Sequence, residues 1–183
     1  MARPVKSIWL FLLSLLGLHG ASAFAGSGVL CIGQAQGEST RVPGCIDVLA
    51  WSWGGSASYA TGGGGQTNLQ DISLTKYTDT ASEDLLRLLV TRTTIKGVVA
   101  YSEYKDDCGA GCLSTDPYLT VHFNLAQLTS FSTGNSAGGG PATENISMQF
   151  DAISYCYRPT VGGVLGTAQC TAWSKTGGII SPF

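Results

Sequence analysis

Charge is scarce in this chain: Asp, Glu, Lys and Arg make up 12% of its 183 residues, about half the share of an ordinary soluble domain. The basic residues are scattered singly, so neither nucleic acid nor anionic lipid finds an electrostatic footprint. Histidine is nearly absent, with two in the chain; His19 falls in the N-terminal apolar segment and His122 stands alone beyond it. Long apolar runs are missing too. The longest, Ile8 to Leu18, falls well short of the ~20 residues that a membrane-spanning helix takes.

That short run sits behind Arg3 and Lys6 and ahead of Ala21, Ala23 and Ala25, the three-part layout of a secretory leader. Cleavage is expected after Ala23 or Ala25, the second giving a leader of residues 1–25 and a mature domain of 26–183. A retained anchor is the alternative. Lipid attachment at Cys31 is disfavoured because Leu30 is too large for the small residue that processing needs. Losing Arg3 and Lys6 takes the formal charge from −2 to −4. The chain is therefore read as a secreted bacterial protein that crosses a periplasm and has no membrane contact once cleaved.

Six cysteines, Cys31, Cys45, Cys108, Cys112, Cys156 and Cys170, all follow the leader. An even number in an exported chain points to disulfides. Nearest neighbours are expected to pair, because each pair brackets turn-like sequence: Pro43-Gly44, Gly109-Ala110-Gly111 and Gly162-Gly163. A zinc site on Cys108 and Cys112 is the rival reading, weakened by the lack of histidine.

A period of two dominates the mature sequence. From Tyr118 to Leu125, Leu119, Val121, Phe123 and Leu125 share one face and Tyr118, Thr120, His122 and Asn124 the other. Similar strands are read at Gly28–Gly33, Cys45–Trp53, Asn68–Tyr77, Lys96–Tyr104, Asn145–Tyr157 and Ala168–Ser174, which implies a sandwich or barrel. One helix is predicted behind Ser82-Glu83-Asp84, with Ser82 as its cap and the acids at its positive end. Gly54–Thr67, Ser132–Pro141 and Gly162–Gly166 read as loops. The first is long enough to be functional, either a mobile surface loop with core tryptophans or an arm reaching a neighbouring subunit.

Catalytic patterns fail on context. Gly134-Asn135-Ser136-Ala137-Gly138 matches a nucleophile elbow in letters only, without a strand-to-helix turn or a histidine after the serine. The glycines Gly62–Gly65 run into Gln66 with no lysine, which excludes a P-loop. Asp106, Asp107 and Asp116 offer paired carboxylates but read as a solvated acidic loop. His122 reads as a surface or pore-facing side chain. Asn145-Ile146-Ser147 fits a glycosylation acceptor, yet falls within a predicted strand.

Two ordered strings carry a resemblance. They are Ile46-Asp47-Val48-Leu49-Ala50-Trp51-Ser52-Trp53-Gly54 and, after the glycine tract, Asn68-Leu69-Gln70-Asp71-Ile72-Ser73-Leu74-Thr75-Lys76-Tyr77-Thr78-Asp79-Thr80-Ala81-Ser82. With Gly37-Glu38-Ser39 and the hairpin from Ile153-Ser154-Tyr155 to Ala172-Trp173, the sequence resembles the Hcp family, the tube protein of type VI secretion. The resemblance implies a mostly β fold, a small two-sheet β-barrel with one short flanking helix. It further implies hexameric rings that stack as a hollow tube, a lumen able to hold effector cargo, contact with a secretion spike, and no cofactor or enzymatic role. The family's inter-ring loop corresponds to Gly54–Thr67, which assigns interface roles to Trp53, Tyr59, Gly62, Gly63, Gly64, Gly65 and Gln66. Family subunits normally lack a cleavable leader and this cysteine set, so the resemblance implies a tube-type fold moved to general export. Two other readings stay open: a secreted monomeric binding module for carbohydrate or another surface ligand, and a secreted enzyme built on the three aspartates.

Overall fold

The computed structural model describes residues 27–62, 64–105, 116–135 and 139–183. The first half contains β1 (Ser27–Cys31), β2 (Ile46–Ser52), β3 (Gly55–Tyr59), β4 (Gly65–Leu69), β5 (Ile72–Tyr77) and helix α1 (Ala81–Val90). The second contains β6 (Val99–Tyr104), β7 (Leu119–Asn124), β8 (Gln127–Gly134), β9 (Thr143–Gln149), β10 (Ala152–Tyr157), β11 (Thr160–Val161), β12 (Val164–Leu165), β13 (Gln169–Ser174) and β14 (Gly178–Ile180). Leader residues 1–25 and the pair Cys108 and Cys112 lie outside the described residues.

Alternation builds the main strands. Leu119, Val121 and Phe123 of β7 are buried, as are Ile72 and Leu74 of β5 and Ile146 and Met148 of β9. Ten strands join in one antiparallel ladder, ordered β14-β13-β10-β7-β6-β1-β2-β5-β9-β8. The mostly β fold with one short helix is as expected, and the one difference is that the ladder is not closed into a barrel. Strand β1 bonds to β2 on one side and β6 on the other, which merges the two halves, while β8 and β14 remain as open edges. Alternation in a sequence tells which face is wet, not whether neighbouring ladders fuse. The sheet still wraps one core. Leu30, Ile46, Leu74, Tyr101, Phe123 and Ile153 from six strands share a cluster with Leu85 and Leu88 of α1. Bulges between Val48 and Ala50 and between Leu128 and Ser130 add local twist and bend.

Several boundaries differ from the sequence reading. Asn68–Tyr77 is two strands, because β4 belongs to a separate hairpin. Asn145–Tyr157 also divides, since the chain bends at Phe150-Asp151 and passes from β9, which pairs with β5 and β8, to β10, which pairs with β7 and β13. Strand β8 extends into the segment read as the Ser132–Pro141 loop, and Gly162–Gly166 includes the tip and second strand of the β11–β12 hairpin. Leu125 is not on the buried face. It sits at positive φ, 51°, and is 53% exposed in the β7–β8 turn.

The helix is held by a buried polar knot rather than by a serine cap. Thr80 is the N-cap residue and makes no side-chain cap bond; instead Asp79 Oδ1 accepts the Ala81 N–H at 3.0 Å. Lys76 and Glu144 face each other across β5 and β9, and both are almost completely buried. Lys76 Nζ donates to Glu144 Oε2 at 2.7 Å and to Ser82 Oγ at 3.0 Å, and lies 2.8 Å from Asp79 Oδ1. The Ser82 hydroxyl donates to Glu144 at 2.8 Å. These contacts tie Lys76, Asp79 and Ser82 of the second string to one another and to Glu144.

Cys31 is bonded to Cys45 and Cys156 to Cys170. The first joins the end of β1 to the residue before β2. The second joins directly opposed residues of β10 and β13.

Candidate functional site

The two tryptophans of the first string are fixed differently. Trp51, at the end of β2, donates its indole N–H to Glu103 Oε1 at 2.6 Å and lies 4.9 Å from the Tyr101 ring. The Tyr101 hydroxyl donates to the same oxygen at 2.8 Å, and the Tyr118 hydroxyl donates to Glu103 Oε2. Burial, and then the neighbouring carboxylate, push both phenols well above the ordinary tyrosine range. Trp53 follows β2, and its Nε1 is shielded from solvent without a hydrogen-bond partner. Such an orphaned donor costs about 1–3 kcal/mol.

Beyond Trp53 the chain leaves the ladder. Residues expected to form a loop build an antiparallel hairpin, with Gly55 opposite Leu69 and Tyr59 opposite Gly65. Glycine is required at its end: Gly62 and Gly64 have φ of 110° and 135°, and a Cβ on Gly65 would meet Ser58 O at 2.5 Å. The turn is closed by the Ala60 N–H donating to Gly64 O at 2.8 Å. Every residue of β3 is exposed, and Tyr59 is 92% exposed.

The base of this hairpin meets the far end of the sheet. Trp51, Trp53, Leu69, Ile153, Tyr155 and Trp173 line an apolar cleft of about 560 Å³. It continues along β4 into a more polar cavity of about 460 Å³, bordered by Gln66, Asn68, Trp173 and Lys175. The wall formed by β10 and β13 is stapled beside the cleft, because the Tyr155–Thr171 pair adjoins the Cys156–Cys170 pair.

The interface residues predicted from sequence thus separate. Trp53 lines the cleft at the hairpin base, Tyr59 stands near the tip, Gln66 follows on β4, and Gly63 lies outside the described residues. Asp106, Asp107 and Ser136 also lie outside them. Asp116 is 3.5 Å from Arg158, both partly exposed. His122 Nδ1 lies 2.6 Å from the Phe183 carbonyl oxygen, and Asn145 accepts a hydrogen bond from Thr75 at 2.7 Å. Sequence reasoning gave no role to Glu103 or Trp173. It also passed over Lys76 and Glu144, although both stand at the inward parity of their strands.

The family described as type VI secretion system effector, Hcp, matches residues 29–157. The chain belongs to the Hcp family. Protein hcp1 of Pseudomonas aeruginosa is 32% identical over 142 residues, which is 70% of this chain and 80% of that protein. Two solved structures share the fold. A type six secretion system protein superposes with TM-score 0.72 at 19% identity, over 82% of this chain and 96% of its own. Hcp1 from Salmonella typhimurium does so with TM-score 0.70 at 20% identity, over 85% and 99%. This Hcp protein is thus a member of a type VI secretion tube family, and the matched segment runs from β1 through β10. Trp173 and Cys170, which complete the cleft and its staple, come after it.

Proposed function

We propose that this Hcp protein is an exported structural subunit that assembles into hexameric rings, and that the rings stack into a hollow tube able to carry effector proteins and to meet a spike at its end. Residues 1–25 are removed during export, and 26–183 form the subunit. The observation that carries the reading is the β3–β4 hairpin, which projects from the ladder with exposed residues along its length. An isolated two-stranded hairpin is marginal in water, so an element of this kind is built to be covered. Its paired strands hold Tyr59 and Gln66 in fixed places, as an interface requires. The Cys31–Cys45 and Cys156–Cys170 disulfides suit an oxidising compartment and support assembly after export. Electron microscopy of the purified oxidised protein tests the proposal: rings of six are expected, and a monomer at all concentrations refutes it.

A further inference from the structure

We propose that the Cys156–Cys170 bond is a redox latch on the β13–β14 arm: a dithiol reductant opens it while Cys31–Cys45 stays closed, and the arm then lifts from β10. The latch is a property of the single chain and does not depend on how subunits assemble. The two bonds differ in access. Cys45 is 8% exposed and packs with Val29, Val42 and Tyr104, whereas Cys170 is exposed on β13, a strand whose only buried residue is Ala172. Thiols reach exposed disulfides and spare enclosed ones.

The arm is placed to move as a unit. Strand β13 is bonded to β10 on one side and to β14 on the other, and β14 is the edge of the ladder. Beyond β14 the chain doubles back, because the Phe183 carbonyl oxygen lies 2.6 Å from His122 Nδ1 on β7, two strands inward of β13. His122 stands opposite Ser154, and Ser154 opposite Ala172. These positions share a face with Cys156 and Cys170, and Ser154 and Ala172 are each 1% exposed. The chain after β14 therefore crosses the disulfide's face of β13 and β10. The arm's remaining ties are the Lys175 N–H donating to Asp151 O at 2.9 Å, the Lys175–Asp151 ion pair at 3.5 Å and Trp173 against the core. Cys156 and Cys170 oppose each other toward the other end of the β10–β13 ladder, so the bond holds the end opposite Lys175 and Asp151.

Opening balances as thiol–disulfide exchange. A thiolate of the reductant attacks Cys170 Sγ. That bond forms as the Cys156–Cys170 bond breaks, and the electron pair leaves on Cys156 Sγ, which takes up a proton. The reductant's second thiolate then displaces Cys170, which is protonated in turn. Two electrons and two protons have passed to the protein, and the dithiol ends as a disulfide. The Ser154 hydroxyl lies 4.0 Å from Cys156 Sγ. A disulfide sulfur has no proton to give, so the hydroxyl donates, and it stabilises the charge that develops there as Cys156 leaves.

The test titrates the full oxidised protein with dithiothreitol, alkylates at intervals and maps the cysteine peptides by mass spectrometry, with hydrogen exchange on the same samples. Cys156 and Cys170 are expected to alkylate roughly tenfold faster than Cys31 and Cys45, or more. Once they are open, the amides of residues 169–180 should exchange roughly a hundredfold faster, while β1, β2 and β6 keep their protection. Cys156→Ser with Cys170→Ser should show the same fast-exchanging arm without reductant. Ser154→Ala should slow the reduction about threefold or more, whereas mere loosening of the strand would speed it. Both bonds opening together, or Cys31–Cys45 opening first, overturns the inference. So does an arm that stays protected after reduction, or protection lost in all strands at once. Ser154→Ala reduced at the wild-type rate or faster overturns the role given to its hydroxyl.

Discussion

Replacing Lys76 by Met should cost about 3–5 kcal/mol, the range for removing one partner of a buried ion pair. The structure explains where that cost falls. Lys76 and Glu144 are 1% and 2% exposed, and the ammonium bonds Glu144 at 2.7 Å. Without it, Glu144 keeps the Ser82 hydroxyl at 2.8 Å but remains a buried carboxylate with no counter-charge. Asp79 loses less, because it still accepts the Ala81 N–H and its side chain is 11% exposed. A domain has about 5–15 kcal/mol in total, so the single substitution removes a large part of the stability. Lys76→Met combined with Glu144→Leu leaves neither charge and should return to within about 2 kcal/mol of wild type. Urea unfolding followed by far-UV circular dichroism and tryptophan fluorescence measures all three variants and the coupling between the two sites. A Lys76→Met protein that loses less than about 1 kcal/mol, or a double variant as unstable as the single, would refute the assignment of the knot as the helix anchor.

Further perturbations address other features. Cys156→Ser with Cys170→Ser opens a loop with a sequence separation of 14 and should lower stability by about 3 kcal/mol, read as a shift in urea midpoint against the oxidised wild type. Gly28→Ala puts a Cβ 2.5 Å from the Tyr101 hydroxyl, which Glu103 holds in place. A loss of about 1–3 kcal/mol is expected, partly recovered when Tyr101→Phe is added. High pH should destabilise the protein: unfolded tyrosines ionise near pH 10, whereas burial and Glu103 keep folded Tyr101 protonated beyond that. Its contribution is intact below about pH 10 and is lost as pH climbs toward the folded value, by about 1.4 kcal/mol per pH unit. Urea midpoints between pH 8 and 11.5 check this, and a Tyr101→Phe variant with an undiminished slope would refute it.

The inward residues of β5, β7 and β9 were legible because alternate positions are apolar, and the strings around Trp51 and Lys76 carried the family. Residues at the right parity but of the wrong polarity were harder. Lys76 and Glu144 look like surface charges until their strands are paired across a large sequence separation. Leu125 erred the other way, since its apolar side chain continues the alternation while its backbone is already turning. The hairpin was hidden by composition, because β3 and β4 hold glycine, serine and threonine with little apolar pattern, and their pairing rests on turn geometry. The cleft was legible only in part. Trp51 and Trp53 stood out, but Trp173 reaches them only when the ladder curls, and that curl depends on β1 bonding on both sides.

The double bonding of β1 also governs timing. Its edge facing Val99–Tyr104 stays unsatisfied until that later strand has been synthesised, a delay of several seconds at ~5–20 residues per second. Pairings this distant along the chain slow folding further. A nascent polypeptide of this topology therefore emerges from the ribosome without its central strand locked, and stays open to competing partners until the later strand arrives.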